Sequence, residues 1–187
     1  QWYYHGGNPI LNIEYGYSNG KATISVKQVQ DSSVQTFSLP LNVEIYVNGT
    51  IIKRNIIIEK REQNFSFELA AKPDFIDFDS DKILVGQIID NKKIVDYLYQ
   101  YKNAPSYYNR IEAIKFAGKD KSHDAQLVLL AGLGDQQDDL RTLSIKEIDL
   151  GDSQIKDTAL KSLLNMAKYD KNTTSRAAAI MKLASTG

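Results

Sequence analysis

The chain of 187 residues contains no cysteine. This absence excludes disulfide bonds, thiolate metal sites and a cysteine nucleophile, and it leaves the compartment open because exported proteins can also lack cysteine. Neither sign of charge is in excess, since 23 basic residues stand against 23 acidic ones. Without a net field to attract polyanions, we expect no nucleic-acid partner and no membrane partner.

Long apolar runs are also missing, and no stretch approaches the roughly 20 residues that a membrane-spanning helix needs. The sequence has no initiator methionine and no basic-then-apolar leader. It opens with large amphipathic side chains at Trp2, Tyr3, Tyr4 and His5, and such side chains normally lie against a surface. We therefore expect a soluble piece of a longer polypeptide, whose location could be exported, periplasmic or cytoplasmic.

The first half of the chain alternates apolar and polar side chains from Ile10 to about Ile89, which is the period of β-strands. Turn signals such as Asn19-Gly20 and Asn48-Gly49 recur about every ten residues. The pattern predicts an antiparallel, immunoglobulin-like β-sandwich over residues 1–89, with a short strand before Pro40. Lys82 to Ile89 would form a closing hairpin with the preceding segment or an edge strand. The predicted core positions are Ile24, Val26, Val43, Ile45, Phe65 and Phe67.

The second half, residues 90–187, changes to a helical period of 3.6 and predicts about six helices. No Gly-rich or Pro-rich linker marks the change, so the halves should be stiffly joined. Asp152 and Thr173 are candidate N-caps. Gly132, Gly134 and Gly151 are expected to interrupt helices or to lie in turns.

Three arginines suggest an internal repeat within the helical half. Arg110, Arg141 and Arg176 are 31 and 35 residues apart, and small and aliphatic side chains follow each of them. This spacing is typical of helix-pair solenoids and favours a HEAT-like array. The alternative is an irregular bundle whose arginines are merely solvated. The predicted fold class is thus α+β in two segregated parts, a β-sandwich followed by an α-helical HEAT-like bundle.

No catalytic, cofactor-binding or metal site can be assigned from these residues. His5 and His123 lack metal-type spacing, and we interpret both as surface histidines. Asp77, Asp79 and Asp81 resemble the start of a calcium loop, but the sixth position is Lys82 and the twelfth is Ile88. A solvated turn, which would also include Asp74, is therefore the preferred interpretation.

Aromatic residues offer one further possibility. The cluster of Tyr97, Tyr99, Tyr101, Tyr107 and Tyr108 could form a stacking platform for bases or sugars. Its helical spacing instead favours packing of the first helices onto the sheet.

A family resemblance joins the two halves. Trp2, Gly7-Asn8-Pro9, the strand that ends in Gln28-x-Gln30, and Phe37-x-Leu39-Pro40 follow one another in this order. That order resembles the β-sandwich that follows the catalytic domain in zinc aminopeptidases of the aminopeptidase N type, where a helical HEAT-like domain comes next. The resemblance covers nearly the whole chain.

The resemblance implies a peptidase parent and a non-catalytic role for this region. The family's zinc-binding His-Glu-x-x-His helix, its third Glu ligand, its Gly-x-Met-Glu-Asn loop and its catalytic Tyr have no counterpart here. Zinc is therefore expected in an upstream domain and not in this chain. The implied partners are that upstream catalytic domain and the peptide substrates of the parent.

Two other functions stay open from the sequence. Stacked helix pairs form concave surfaces, so the chain could be a stand-alone interaction scaffold. A carbohydrate-binding sandwich would need an exposed aromatic patch, which Tyr3, Tyr4 and Tyr46 could supply.

Overall fold

The computed structural model describes residues 6–104 and 106–185. The chain divides into two compact units, Gln1–Lys92 (the β unit) and Lys93–Gly187 (the helical unit). Strands come first and helices follow, so the α+β class is confirmed. The strands are β1 (Ile10–Ser18), β2 (Lys21–Gln28), β3 (Leu39–Val47), β4 (Thr50–Ile58), β5 (Glu62–Glu68), β6 (Phe75–Phe78) and β7 (Gln87–Asp90). The helices are α1 (Ile94–Asn103), α2 (Tyr107–Ala117), α3 (His123–Gly132), α4 (Asp138–Glu147), α5 (Lys156–Tyr169) and α6 (Thr173–Ala184).

Two tight turns set the strand pairing in the β unit. Asn19 and Asn48 adopt φ of 49° and 48°, and the glycines that follow them adopt 73° and 74°. Asn and Gly tolerate this left-handed region, which two-residue hairpins require. The turns join β1 to β2 and β3 to β4 in antiparallel registers that end at Ser18↔Lys21 and Val47↔Thr50. Both hairpins that the sequence predicts are confirmed.

The strands form a four-stranded sheet in the order β5-β2-β1-β7 and a three-stranded sheet in the order β4-β3-β6. The prediction of purely antiparallel pairing is wrong, because β7 runs parallel to β1 from Ile10↔Gln87 to Ile13↔Asp90. A β6-β7 hairpin is also wrong, since β6 pairs with β3 in the other sheet. The physical cause lies between them, where the Asp79 carboxylate accepts from the backbone N–H of Ile83 and of Leu84 and redirects the chain. The expected edge strand is confirmed in β7.

Both sheets contribute to one hydrophobic cluster. Ile24, Val26, Val43 and Ile45 are buried there as predicted. Phe65 and Phe67 are only partly buried, because β5 lies at a sheet edge. The expected short strand before Pro40 is absent from the described chain, where β3 begins at Leu39. In its place Phe37 is fully buried outside any strand.

The helical unit is built from three consecutive helix pairs, α1/α2, α3/α4 and α5/α6, and the second helices also contact one another, α2 with α4 and α4 with α6. One hydrophobic cluster extends through all three pairs. The predicted N-caps are wrong by one to three residues: α5 starts after Ile155, and Asn172 caps α6 by accepting from Thr174 N and Ser175 N. None of the described helices has the length and apolar composition needed to cross a membrane.

Gly132 is the last residue of α3, so this helix ends at a glycine as the sequence predicts. A Cβ atom at this position would lie 2.1 Å from the Ser144 Oγ of α4. The glycine is therefore needed for the close approach of α3 and α4, which a larger residue would prevent.

Candidate functional site

The most regular arrangement of charged side chains lies in the helical unit. Asp135 and Asp170 are in the turns that connect the two helices of the second and third pairs, and Arg110, Arg141 and Arg176 are on α2, α4 and α6. We call these five residues the ladder. Each aspartate precedes the arginine of its own pair by six residues, as the backbone contacts below show.

The first rung joins Arg110 to Asp135, 25 residues further along the chain. The Arg110 Nε donates to Asp135 Oδ2 at 2.8 Å. The Tyr101 hydroxyl donates to the same oxygen at 2.8 Å, and the Gln137 backbone N–H donates to Oδ1 at 2.9 Å. The Asp135 side chain is only 2% exposed. A buried carboxylate with three donors is stable as an anion.

The second rung repeats this contact between Arg141 and Asp170, 29 residues apart. Arg141 binds the carboxylate with two donors, Nε to Oδ2 at 2.8 Å and Nη2 to Oδ1 at 2.7 Å. Its Nη1 donates back to the carbonyl oxygens of Asp135 and Gln136 at 2.9 and 3.1 Å. One guanidinium thus fixes its own turn and the next one, and two-donor pairs of this kind have the strongest geometry among ion pairs.

The third arginine repeats half of this pattern. Arg176 Nη1 donates to the carbonyl oxygens of Asp170 and Lys171 at 2.7 and 3.3 Å. Arg141 makes the same two contacts with Asp135 and Gln136. The ladder is therefore periodic, and the alternative in which the arginines are merely solvated is wrong for Arg110 and Arg141.

The electrostatics keep the ladder charged at neutral pH. The hydrogen bonds from Arg141 hold the pKa of Asp170 below its ordinary value of 3.8, and Asp170 in turn raises the pKa of Arg141. Burial opposes ionisation of Asp135, but the bonds from Arg110, the Gln137 N–H and Tyr101 outweigh it and lower its pKa. Burial, then the bond to Asp135, raises the pKa of Tyr101. Groups held in one charge state position helices well but do not exchange protons.

The solvated turn that we predicted is wrong for two of its four aspartates, since Asp74 and Asp81 are exposed but Asp77 and Asp79 are not. Asp77 and Asp79 are buried, and Lys82 Nζ lies 2.7 Å from Asp77 Oδ1. Asp81 accepts from the Asn42 side chain, and Asp74 accepts from the Asn48 backbone N–H at 2.8 Å. Their oxygens are thus bound by protein donors. Across residues 6–104 and 106–185, no group of three or more His, Asp or Glu side chains could hold a metal ion.

His123 makes one contact that the sequence did not reveal. Its Nδ1 lies 2.8 Å from Asp152 Oδ2, 29 residues away, and this bond lowers the pKa of Asp152. Asp152 also accepts from the Gln154 N–H at 2.9 Å. The pair therefore fastens the start of α3, which Ser122 caps, to the turn before α5. His5 lies outside the described residues.

The tyrosines have structural roles within the helical unit. Tyr97 is buried and stacks on Phe116 with ring centroids 4.0 Å apart. The Tyr107 hydroxyl donates to Asp139. The aromatic patch expected for a sugar site is wrong at Tyr46, which is buried and donates to Glu44 at 3.0 Å. Tyr3 and Tyr4 lie outside the described residues.

Comparison with known proteins supports the fold. No protein-family model matches the sequence, and no curated protein matches it. Among solved structures the chain is similar to aminopeptidase A of Legionella pneumophila in complex with aspartic acid, with a TM-score of 0.66 and 15% identity. The likeness covers 98% of this chain and 27% of that chain. The fold is therefore aminopeptidase-related, which is the coarser part of what the sequence predicted.

Proposed function

We propose that this chain is a non-catalytic C-terminal region of a zinc aminopeptidase of the aminopeptidase N type. In that role it supports an upstream catalytic domain and shapes the access of peptides to its cleft. The observation that carries the proposal is the likeness of nearly the whole chain to 27% of an aminopeptidase A chain. The zinc and the catalytic groups would belong to the upstream domain, and no residue of this chain is assigned to them.

In this proposal residues 1–89 form a β-sandwich domain and residues 90–187 a HEAT-like domain. Two sheets with a common core support the first assignment. The three helix pairs and the periodic ladder support the second, because stacked helix pairs with repeated contacts between neighbours are the construction of α-solenoids. The partners are the upstream domain and the parent's peptide substrates, without nucleic acid or membrane.

The contribution to catalysis would be steric. The ladder fixes consecutive turns of the helical unit with two-donor ion pairs, and such a rigid wall limits which substrates enter without touching the reacting atoms. Peptides long enough to reach the wall would be discriminated, while short reporters would pass.

Truncation of the parent tests this role. Removal of residues from Asn91 onward should leave the zinc content intact and change the dependence of kcat/KM on peptide length, with short reporters least affected. Arg54→Met, a change of an exposed side chain on β4, is the control and should leave that dependence unchanged. A folded, truncated parent that cleaves short and long peptides in the original ratio would contradict the role in access.

The isolated chain gives a second test. Purified alone, it should hold no stoichiometric zinc and hydrolyse no aminoacyl reporter, because three convergent ligands and a general base are expected only upstream. One tightly held zinc per chain together with hydrolysis would contradict the proposal.

A stand-alone scaffold is the second candidate. The exposed apolar side chains of α5 and α6, such as Leu164 and Ile180, favour it because partner-binding helical surfaces carry such groups. The residues encoded before Gln1 discriminate between the two: a His-Glu-x-x-His helix there supports the peptidase, and its absence supports the scaffold.

A further inference from the structure

Arg176, the last arginine of the ladder, differs from the other two because it binds no aspartate side chain among the described residues. Arg110 donates to the turn aspartate 25 residues later, and Arg141 donates to the one 29 residues later. Arg176 makes the two backbone contacts of Nη1 that Arg141 also makes. Within the described residues, no carboxylate lies in contact with its Nε and Nη2.

The apolar neighbours of the ladder change in the same way at this end. An isoleucine stands four residues after each arginine; Ile114 and Ile145 are 0% and 1% exposed, whereas Ile180 is 55% exposed. A leucine stands six residues before each turn aspartate; Leu129 is 0% exposed and Leu164 is 51% exposed. Positions that are core in the second pair are thus surface in the third.

We infer that this end face, formed by Leu164, Arg176 and Ile180, binds a further helix pair whose connecting turn carries an aspartate. That aspartate would accept from Nε and Nη2 of Arg176 as Asp170 accepts from Arg141. The occupant follows from continuity, because the third pair supplies the aspartate that Arg141 of the second pair binds. The isoleucine and leucine that are buried in the second pair are exposed in the third. Nearest-neighbour contacts repeat along a helical stack.

The fit is specific in charge as well as in shape. A planar guanidinium that is already oriented by two carbonyl oxygens recognises a carboxylate through two parallel donors. A lysine-bearing or neutral turn would leave Arg176 desolvated and unpaired, which is unfavourable. Arg176 therefore acts as the specificity-determining residue of the face.

An extended chain tests the inference. A second copy of residues 148–187 is joined after Lys182, so that the copied Asp170 follows Arg176 by 29 residues, as Asp170 follows Arg141. The extended chain should unfold at least about 2 °C above the original, the shift expected for a modest gain in stability in a chain of this size. Hydrogen exchange of the Ile180 amide should slow.

Paired variants separate the ladder contact from a general effect of length. Arg176→Met should lower the Tm of the extended chain at least about twofold more than that of the original, and Asp170→Asn in the copy should give the same loss. The double variant should be no worse than either single one, because both remove one contact. Lys171→Met, a change of an exposed cation at the same end, is the matched control and should act equally in both chains.

Three results would overturn the inference. They are an extension that adds no stability, equal effects of Arg176→Met in both chains, and association of the original chain with itself through this face, seen by sedimentation and abolished by Ile180→Glu. The last result would make a second copy the occupant. Ile180→Glu should be tolerated in the original chain, where Ile180 is exposed, so loss of folding does not confuse the outcome.

Discussion

The two units bury polar groups in different ways. In the β unit, Gln28 and Gln30 are 2% and 6% exposed. The Gln28 side chain donates to Phe37 O at 2.8 Å and accepts from Phe37 N at 2.9 Å, and Gln30 donates to Gln28 Oε1 at 3.0 Å. Arg61 donates to Gln30 O at 2.9 Å and to Val34 O. The network closes around a single loop.

The helical unit instead repeats one contact along the chain. Arg141 and Arg176 each bind the turn before their own helix, and Arg110 and Arg141 each bind the turn of the next pair. In the β unit the donors of the network find their acceptors within one loop. When the same contact is repeated from one helix pair to the next, the last arginine has no following turn among the described residues to donate to. The polar network of the β unit is therefore confined to one loop, whereas the helical unit ends at Arg176, whose Nη1 contacts are to backbone carbonyl oxygens.

Phe37→Ala should be more destabilising than Arg141→Met, Gly132→Ala or Asp170→Asn, because it removes a large core side chain from the loop whose backbone the network binds. Phe37 is fully buried, and Phe→Ala changes in packed cores cost about 3–5 kcal/mol. Phe67→Ala on the edge strand should cost clearly less, since Phe67 is only partly buried. Urea unfolding of the two variants measures the difference. Equal losses would mean that the loop is not part of the core.

Arg141→Met tests the helical side of the comparison. It leaves the Asp170 carboxylate, 6% exposed, without its two-donor partner, and breaking a buried pair costs about 3 kcal/mol or more. The control is Arg54→Met, where the exposed arginine donates only to the neighbouring Lys53 O and the loss should be below about 0.5 kcal/mol. If both variants unfold at the same urea concentration, the ladder does not stabilise the unit.

Gly132→Ala tests how closely the helical unit is packed. The new methyl group would lie 2.1 Å from Ser144 Oγ and 3.2 Å from Ile114 Cδ1, and overpacking of this kind costs about 1–3 kcal/mol. Ser144→Ala in the same chain should restore part of the loss, because it removes the closer atom. Thermal unfolding of the single and double variants measures the recovery. Additive losses would show that the two helices do not approach each other through this glycine.

Local patterns predicted what depends on neighbouring residues. Asn19-Gly20 and Asn48-Gly49 gave both hairpins, because positive φ at Asn-Gly is a property of the residues themselves. The parallel pairing of β7 with β1 could not be predicted, since alternation of side chains is the same in parallel and antiparallel strands. The burial of Phe37 was missed because it depends on Gln28, nine residues away.

The ladder was found only in part. The spacing of the three arginines pointed to residues with equivalent contacts, but their acceptors were not predicted. A signal for them was present, since Asp135 and Asp170 each precede an arginine of the repeat by six residues. The first pair has Ala104 at that position, which weakens the pattern. The contact of His123 with Asp152 left no local signal, because it joins residues from different helix pairs.

Acid should weaken the ladder through its two aspartates, an effect smaller than that of Arg141→Met because protonation leaves the arginines in place. The folded state lowers the pKa of both Asp135 and Asp170 below 3.8. The unfolded chain therefore binds more protons near that pH, and stability rises with pH through this window. The contribution is fully present above about pH 3.8 and is lost as the pH falls through the lower, folded values.

Asp170→Asn isolates this effect. The variant should be less stable than the original chain at neutral pH, but its stability should fall less steeply on acidification, since one of the two linked protons is gone. Asp157→Asn, a change of an exposed carboxylate in the first turn of α5, serves as the control and should keep the original slope more closely. Urea unfolding followed by far-UV circular dichroism at a series of pH values measures both curves. Parallel curves for the original chain and Asp170→Asn would mean that Arg141 does not hold the aspartate as an anion. The ladder would then differ from the network of the β unit in its repetition but not in its charge.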